Sequence, residues 1–149
     1  MTATVGAPAY DTVQIGDRLP ELVIPLTRTL IVATALATRD FQDVHHDPAL
    51  AVERGSKDVF MNILTTNGLV GRFVTDWAGQ HASLRRIAIR LGAPNYPGDA
   101  MTLTGEVVAK DDGRATVKIR GTNSLGDHAT GTVVVALPAR GDLPARGDL

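Results

Sequence analysis

The chain contains no cysteine, which removes disulfides, thiolate zinc sites and a cysteine nucleophile together. Aromatic residues are only 4% of it. That is too few rings for the stacking platforms that bind unpaired bases, and the abundance of Val, Leu, Ile and Ala points to an aliphatic core. Neither sign of charge dominates: 15 Lys and Arg face 16 Asp and Glu, for a formal net charge of −1. No global field therefore draws the protein to a polyanion, and nucleic acid is not an expected partner. No apolar run is long enough to span a bilayer, and Met1 to Tyr10 has no basic segment leading into an apolar one. A cytoplasmic protein without membrane association is expected. Dinucleotide, P-loop and serine-hydrolase motifs are also missing.

What is present fits one domain: 149 residues, 44% of them hydrophobic, can close a single core. Residues 1–12 carry Gly6, Pro8 and small side chains without periodicity and read as a flexible lead-in. The domain should occupy residues 13–137. After it, Pro-Ala-Arg-Gly-Asp-Leu occurs at 138–143 and again at 144–149, a tandem repeat read as a tail. Nothing points to the secretion that would give its Arg-Gly-Asp an adhesive meaning.

Leu22-Val23-Ile24-Pro25-Leu26 reads as a short strand whose proline suits a sheet edge, and Thr27-Arg28-Thr29 supplies caps for a helix from about Leu30 to Ala37. Pro48 opens a second short helix that Gly55 closes. Leu69, Val70, Phe73, Val74 and Trp77 share one face of a long amphipathic helix, which Thr66 or Asn67 would cap and Gly79 would end. Four strand-like runs follow, at 84–91, 101–109, 114–121 and 129–137, with Asp111-Asp112-Gly113 and Ser124-Leu125-Gly126-Asp127 as turns between the last three. Helices first and an antiparallel meander afterwards predict an α+β domain, one sheet wrapped around one long helix. Its exposed edge calls for a second copy or a related chain.

Chemistry could reside in Asp40 and His45, five residues apart where a helix gives way to a loop. A carboxylate and an imidazole on one water can take a proton from it and return one to carbon. Taken alone, the pair fits a turn-stabilising carboxylate and a surface histidine as readily. Asn67-Gly68 adds the electrophilic half: at a helix start, a free Gly68 N–H could polarise a thioester carbonyl. A plain capped helix would look the same. Pro97-Gly98-Asp99 needs no function beyond a rigid turn. His46 and Asp47 next to His45 do not make a metal site, because adjacent residues rarely share a coordination face. His81 and His128 are expected to be solvated.

The string Thr38-Arg39-Asp40-Phe41-Gln42-Asp43-Val44-His45-His46-Asp47-Pro48 resembles the signature of MaoC-like (R)-specific enoyl-CoA hydratases, with Asn67-Gly68-Leu69 standing for that family's His-Gly-Met and Pro97-Gly98-Asp99 for its Gly-Asp. The likeness runs from Leu26 through Pro138. Ala35 to Asp47, Gly55-Ser56-Lys57-Asp58 and Val74-Thr75-Asp76-Trp77-Ala78-Gly79 are more narrowly similar to the small subunits of actinobacterial steroid side-chain enoyl-CoA hydratases. Two positions depart from the general signature: Gln42-Asp43 replaces Asn-Pro, and Asn67 replaces His.

The resemblance implies a single hot-dog fold, a larger MaoC-like partner or a homodimer, and an acyl-CoA substrate carrying a shortened steroid side chain. It also implies Asp40 and His45 as the catalytic pair, Gly68 at the thioester carbonyl, Gln42 and Asn67 in support, and no metal or redox cofactor. Two other readings stay open. One is a hot-dog thioesterase using Asp58 or Asp43, and the other is a non-catalytic partner subunit. Arg72, Arg85, Arg86 and Lys57 are candidates for the CoA phosphates.

Overall fold

The long helix decides the architecture. In the computed structural model, which describes residues 7–143, α3 spans Ile63–Ala78 and buries Val70, Phe73, Val74 and Ala78, with Leu69 and Trp77 partly buried beside them. That stripe is the expected one. Gly79 closes the helix at φ 83, its N–H donating to the Thr75 carbonyl at 2.9 Å.

Before α3 lie β1 (Leu22–Pro25), α1 (Arg28–Ala37), a 3-10 turn at Asp43–His45 and α2 (Pro48–Glu53). After it come β2 (Ser83–Leu91), β3 (Ala100–Asp111), β4 (Arg114–Asn123) and β5 (Gly126–Ala136). The strands form one antiparallel sheet in the order β1-β3-β4-β5-β2. Every other residue points at the helix: Met101, Leu103 and Val107 on β3, Ala115, Val117 and Ile119 on β4, and Val133 and Val135 on β5 are all buried. This period of two is what one covered sheet face requires. The result is the expected hot-dog. Pro25 lies on edge strand β1, where a missing N–H costs the ladder least. Asp112 and Gly113, at φ 45 and 74, make the two-residue turn between β3 and β4, whose handedness matches the strand twist.

Both terminal segments carry structure among their described residues. The described part of the lead-in is anchored: Ala9 is buried, the Tyr10 N–H donates to the Pro138 carbonyl at 2.9 Å, and Lys110 Nζ donates to the Tyr10 carbonyl at 2.8 Å. The Lys110 ammonium also sits 4.3 Å from the Tyr10 ring centroid, a favourable cation–π distance. Small residues without periodicity gave no sign of this packing. The first copy of the C-terminal repeat carries an exposed 3-10 turn at Arg140–Asp142, and the second copy lies outside the described residues.

Gly105 sets how closely α3 approaches the sheet. A Cβ there would stand 2.9 Å from Phe73 Cε1 and 3.1 Å from Val117 Cγ1, both in the core. Gly105→Ala is therefore expected to destabilise the chain by about 1–3 kcal/mol through overpacking, seen as a lower midpoint in chemical denaturation. An unchanged midpoint would show that the helix can lift away freely.

Candidate active site

Asp40 is placed by the way α1 ends. Thr38 is the C-cap and Arg39 takes the left-handed conformation at φ 59. The Arg39 N–H then donates to the Leu36 carbonyl at 3.0 Å and the Asp40 N–H to the Ala35 carbonyl at 2.9 Å. This paired closure uses up two helix-end carbonyls and turns the chain so that Asp40 leaves at a fixed angle. A non-glycine residue at positive φ costs about 1 kcal/mol, and here that strain lies directly before the carboxylate.

His45 is reached through the 3-10 turn. The Gln42 carbonyl accepts from the His45 N–H at 3.1 Å, and Asp47 then caps α2 by accepting from the Leu50 N–H at 3.1 Å. The His45 side chain is nearly buried, and Asp40 keeps 18% of its side-chain surface. His45 Nδ1 lies 2.7 Å from the Phe60 carbonyl oxygen. A carbonyl only accepts, so Nδ1 carries the proton, and in the neutral ring Nε2 presents a lone pair. That lone pair faces Asp40 Oδ2 at 3.5 Å. The Phe60 ring stands edge-on to the imidazole, centroids 4.9 Å apart. Two proton acceptors this close, each held from behind, form a seat for one water.

Asn62 completes the arrangement. Its Oδ1 caps α3 by accepting from the Thr65 N–H at 3.0 Å, while Nδ2 donates to Asp40 Oδ2 at 3.0 Å and to Thr38 Oγ1 at 2.9 Å. The helix start therefore lies against the dyad, but four or five residues earlier than the sequence pattern suggested. Gly68 is not at the start. It is the sixth residue of α3, exposed, and its N–H falls within the helical ladder, so the thioester-carbonyl role expected for it has no free donor there. Asn67 likewise caps nothing, and its Oδ1 is buried with no partner among the described residues. The groups left free by the real cap are the N–H groups of Ile63 and Leu64, which make no hydrogen bond among the described residues.

The remaining candidates separate clearly. Gln42 supports the site through its backbone: its N–H reaches Asp40 Oδ1 at 3.4 Å, and its exposed side chain forms no hydrogen bond among the described residues. Asp43 turns away from the dyad to Arg54 at 2.7 Å, and that hydrogen bond holds its carboxyl below the usual range. Asp58 is gripped at both oxygens by Arg28, at 2.8 and 2.7 Å, and is lowered in the same way. Neither is a free carboxylate near the dyad. His46 Nε2 lies 3.1 Å from the Phe41 carbonyl.

His81 is exposed as expected, but His128 is buried. It donates from Nδ1 to the Ala93 carbonyl at 2.7 Å and accepts at Nε2 from Thr66 Oγ1 at 2.8 Å. Burial pushes its imidazole below the ordinary value. Arg72, Arg85, Arg86 and Lys57 are all exposed; Arg72 pairs with Asp76 at 3.3 Å, and Lys57 lies 5.6 Å from the Tyr96 ring centroid. The Gly98-Asp99 turn is structural: Asp99 Oδ2 accepts from Ser124 Oγ at 2.6 Å and from its N–H at 3.1 Å. Among the described residues no three His, Cys, Asp or Glu side chains cluster as metal ligands, and no helix is long and apolar enough to cross a membrane.

The MaoC-like domain matches residues 13–128 of the chain, a span that includes the dyad, the cap of α3 and His128. The chain belongs to the MaoC-like family. Within that family it is similar to the 3-oxo-4,17-pregnadiene-20-carboxyl-CoA hydratase beta subunit of Mycobacterium tuberculosis, with 57% identity over 123 residues, 83% of this chain and 95% of the relative. Among solved structures it resembles a chain of the ChsH1-ChsH2 complex from Mycobacterium tuberculosis, with 56% identity, a TM-score of 0.82, and 83% of this chain and 98% of that one covered. The (R)-hydratase of A. caviae involved in PHA biosynthesis shares the fold at 24% identity, with a TM-score of 0.78, covering 85% of this chain and 98% of that one.

The Arg28 grip on Asp58 has a signed consequence for stability. A carboxyl lowered in the folded state binds fewer protons than its unfolded counterpart, whose value is about 3.9, so its contribution is present above that pH and lost on acidification. Asp58→Asn should be less stable than the natural chain near pH 7, and the gap should be narrower at about pH 3, below the unfolded carboxyl's value. Denaturant titrations at the two pH values check this, and a gap independent of pH would rule out the ion pair as its source.

Proposed function

We propose that this MaoC-like chain is the catalytic small subunit of a hydratase that adds water to a trans-2-enoyl-CoA, the substrate being a steroid-CoA with a shortened, unsaturated side chain. The observation that carries the reading is the pair of acceptors, Asp40 Oδ2 and His45 Nε2, 3.5 Å apart beside the capped start of α3. His45 takes a proton from the water held between them while the water oxygen bonds to the β-carbon. The electrons of the double bond move to the thioester oxygen, where the free N–H groups of Ile63 and Leu64 stabilise the enolate. A proton returned through the Asp40 and His45 pair to the α-carbon completes the addition. Side chains and backbone N–H groups of this chain carry every step of the proposed addition, and none is assigned to a metal or redox cofactor.

The steroid class is supported by the 57% identity to the Mycobacterium tuberculosis beta subunit. A larger MaoC-like partner is supported by the likeness to a chain of the ChsH1-ChsH2 complex and by surface that needs covering. Leu36, Phe41, Ile63 and Leu64, on the segments that deliver the dyad and the helix start, are exposed by 46%, 65%, 48% and 47%. A surface depression of 680 Å³ lies away from the dyad, against Arg18, Thr104 and Lys118, and one of 400 Å³ lies beside it, lined by Phe41, Gln42, Asp43, Val44, His46 and Arg54; Asp40 and His45 line neither. These exposed apolar side chains fit a cavity for sterol rings closed by a second chain, and a cytoplasmic location accords with a CoA substrate. The thioesterase reading loses its carboxylates to Arg28 and Arg54. A purely scaffolding subunit would have no use for a histidine held in one tautomer against an amide-braced carboxylate.

Hydration is followed by loss of the conjugated enoyl-thioester absorbance in the complex purified with its partner. Asp40→Asn and His45→Ala should each lower kcat by about 10²–10⁴-fold without release of free thiol, and a folded variant of either that hydrates near normally would sink the assignment. Ile63→Pro tests the carbonyl donor separately. Proline is tolerated at the first position of a helix and Asn62 already has the extended conformation that precedes one, at φ −78 and ψ 161. The substitution deletes one N–H while keeping α3, and a loss in kcat of about 10²–10³-fold with unchanged thermal stability is expected. Unimpaired turnover would shift the donor to Leu64 alone.

A further inference from the structure

We infer that Asn62 is the positioning residue of the site, a single buried amide that holds the Asp40 carboxylate and the α3 start in one fixed relation. The inference rests on the hydratase reading and deepens it.

Asn62 is 2% exposed, so water does not compete for its polar atoms. Its hydrogen-bonding capacity is almost fully committed. Both Nδ2 hydrogens are donated, to Thr38 Oγ1 at 2.9 Å and Asp40 Oδ2 at 3.0 Å, and Oδ1 accepts from the Thr65 N–H at 3.0 Å. The amide cannot flip. Reversed, it would set its oxygen against a carboxylate and its NH₂ against a helix N–H, losing all three bonds at once. Thr38 is itself fixed, its hydroxyl donating to the Thr34 carbonyl at 2.8 Å. The chain of contacts therefore runs from the last turn of α1 through Thr38 and Asn62 to Asp40, and on to His45.

Asp40 depends on this bond. Among the described residues its other oxygen meets only the long contact from the Gln42 N–H at 3.4 Å, and its facing partner, His45 Nε2, is 3.5 Å away. Asn62 Nδ2 is thus its closest donor, and it binds the same Oδ2 that faces the imidazole. Because Asn62 also caps α3, any shift of the carboxylate moves relative to the Ile63 and Leu64 N–H groups that follow. Proton transfer at one end of the substrate and charge stabilisation at the other are aligned through this one side chain.

Asn62→Asp separates the two roles of the residue. It preserves shape and the capping oxygen, which a helix N-terminus favours as a carboxylate, but it replaces the N–H donors with a second carboxylate beside Asp40. In the purified complex, with an enoyl-CoA turned over by the natural protein, kcat should fall by about 10²-fold with KM near its original value, as misplacement of a reacting group produces. The ratio of variant to natural kcat should rise as the pH is lowered, because a proton shared by two adjacent carboxylates restores a donor to Asp40. Asn62→Ser keeps a capping hydroxyl without added charge and should show a kcat loss independent of pH.

Turnover by folded Asn62→Asp within about twofold of the natural protein would reduce Asn62 to a helix cap and overturn the inference. So would full kcat in Asn62→Ser, which decides the matter should the aspartate variant not fold. A loss that tracks thermal stability and shows no change with pH in Asn62→Asp would overturn it equally. Asp40→Asn, assayed alongside, keeps the two conclusions apart. If it is active, the hydratase reading fails; if it is inactive while both Asn62 variants are not impaired, only the positioning role fails.

Discussion

A helix end leaves backbone groups without partners, and this site is built where two such ends meet. At the end of α1, spare carbonyls are closed by the Arg39 and Asp40 N–H groups, and the closure aims Asp40. At the start of α3, spare N–H groups are closed in part by Asn62, and those left over are the donors that the proposed mechanism turns to an enolate oxygen. The Asn62 amide joins the two ends. Had α3 been capped by a residue with no second donor, Asp40 would keep only its long contact with Gln42. Capping and the placement of the Asp40 carboxylate are therefore one constraint, and the strained Arg39 at φ 59 is tolerated because two helix-end bonds depend on it.

The rest of the fold holds those two ends in register. Phe60 and Met61, just before the cap, are pinned from opposite sides. The Phe60 N–H donates to the Val44 carbonyl at 3.2 Å and the Met61 N–H to the Asn95 carbonyl at 3.1 Å. Asn95 is fully buried, and its Oδ1 accepts from Asn123 at 2.8 Å at the end of β4. Farther along the first turn, Thr66 is tied to buried His128 on β5. The sheet thus reaches the cap through polar contacts in an otherwise aliphatic interior, and buried polar groups placed this way fix one arrangement where apolar packing alone would allow several. Such a support also explains why the histidine on β5 is not the solvated one that its turn-like sequence context suggested.

How much of this was legible depends on where apolar periodicity carries information. The fold was readable because the sheet faces alternate and the Leu69 to Trp77 stripe is strict, and Asp40 and His45 were found because their spacing matches a known signature. The helix start was misplaced because the buried face of α3 continues backward through Thr65 and Thr66, polar side chains that are 5% and 0% exposed, while Ile63 and Leu64 are the exposed residues there. Hydrophobic pattern therefore pointed the wrong way over one turn and a half. Asn62 did carry a signal, a capping residue directly before Ile63-Leu64-Thr65-Thr66, a stretch without proline or glycine. Asn67-Gly68, more conspicuous and closer to the apolar stripe, offered the same signal in competition. The partnership of Asp58 with Arg28, thirty residues apart in sequence, had no local trace at all.

The contrast among the carboxylates bears on the role proposed for Asp40. Asp43, Asp58 and Asp99 are each held below the ordinary range by hydrogen bonds, to Arg54, Arg28 and Ser124 respectively, and are committed to keeping loops in place. Asp40 receives an uncharged amide in place of a guanidinium. An arginine in that position would fix the carboxylate equally well but would neutralise it and bind it bidentately, leaving neither oxygen for water. A neutral donor orients one oxygen without cancelling its charge and leaves its remaining lone pair toward His45. Strong ion pairs thus set the walls of the site, and the weaker amide holds the group to which the proposed mechanism gives proton exchange.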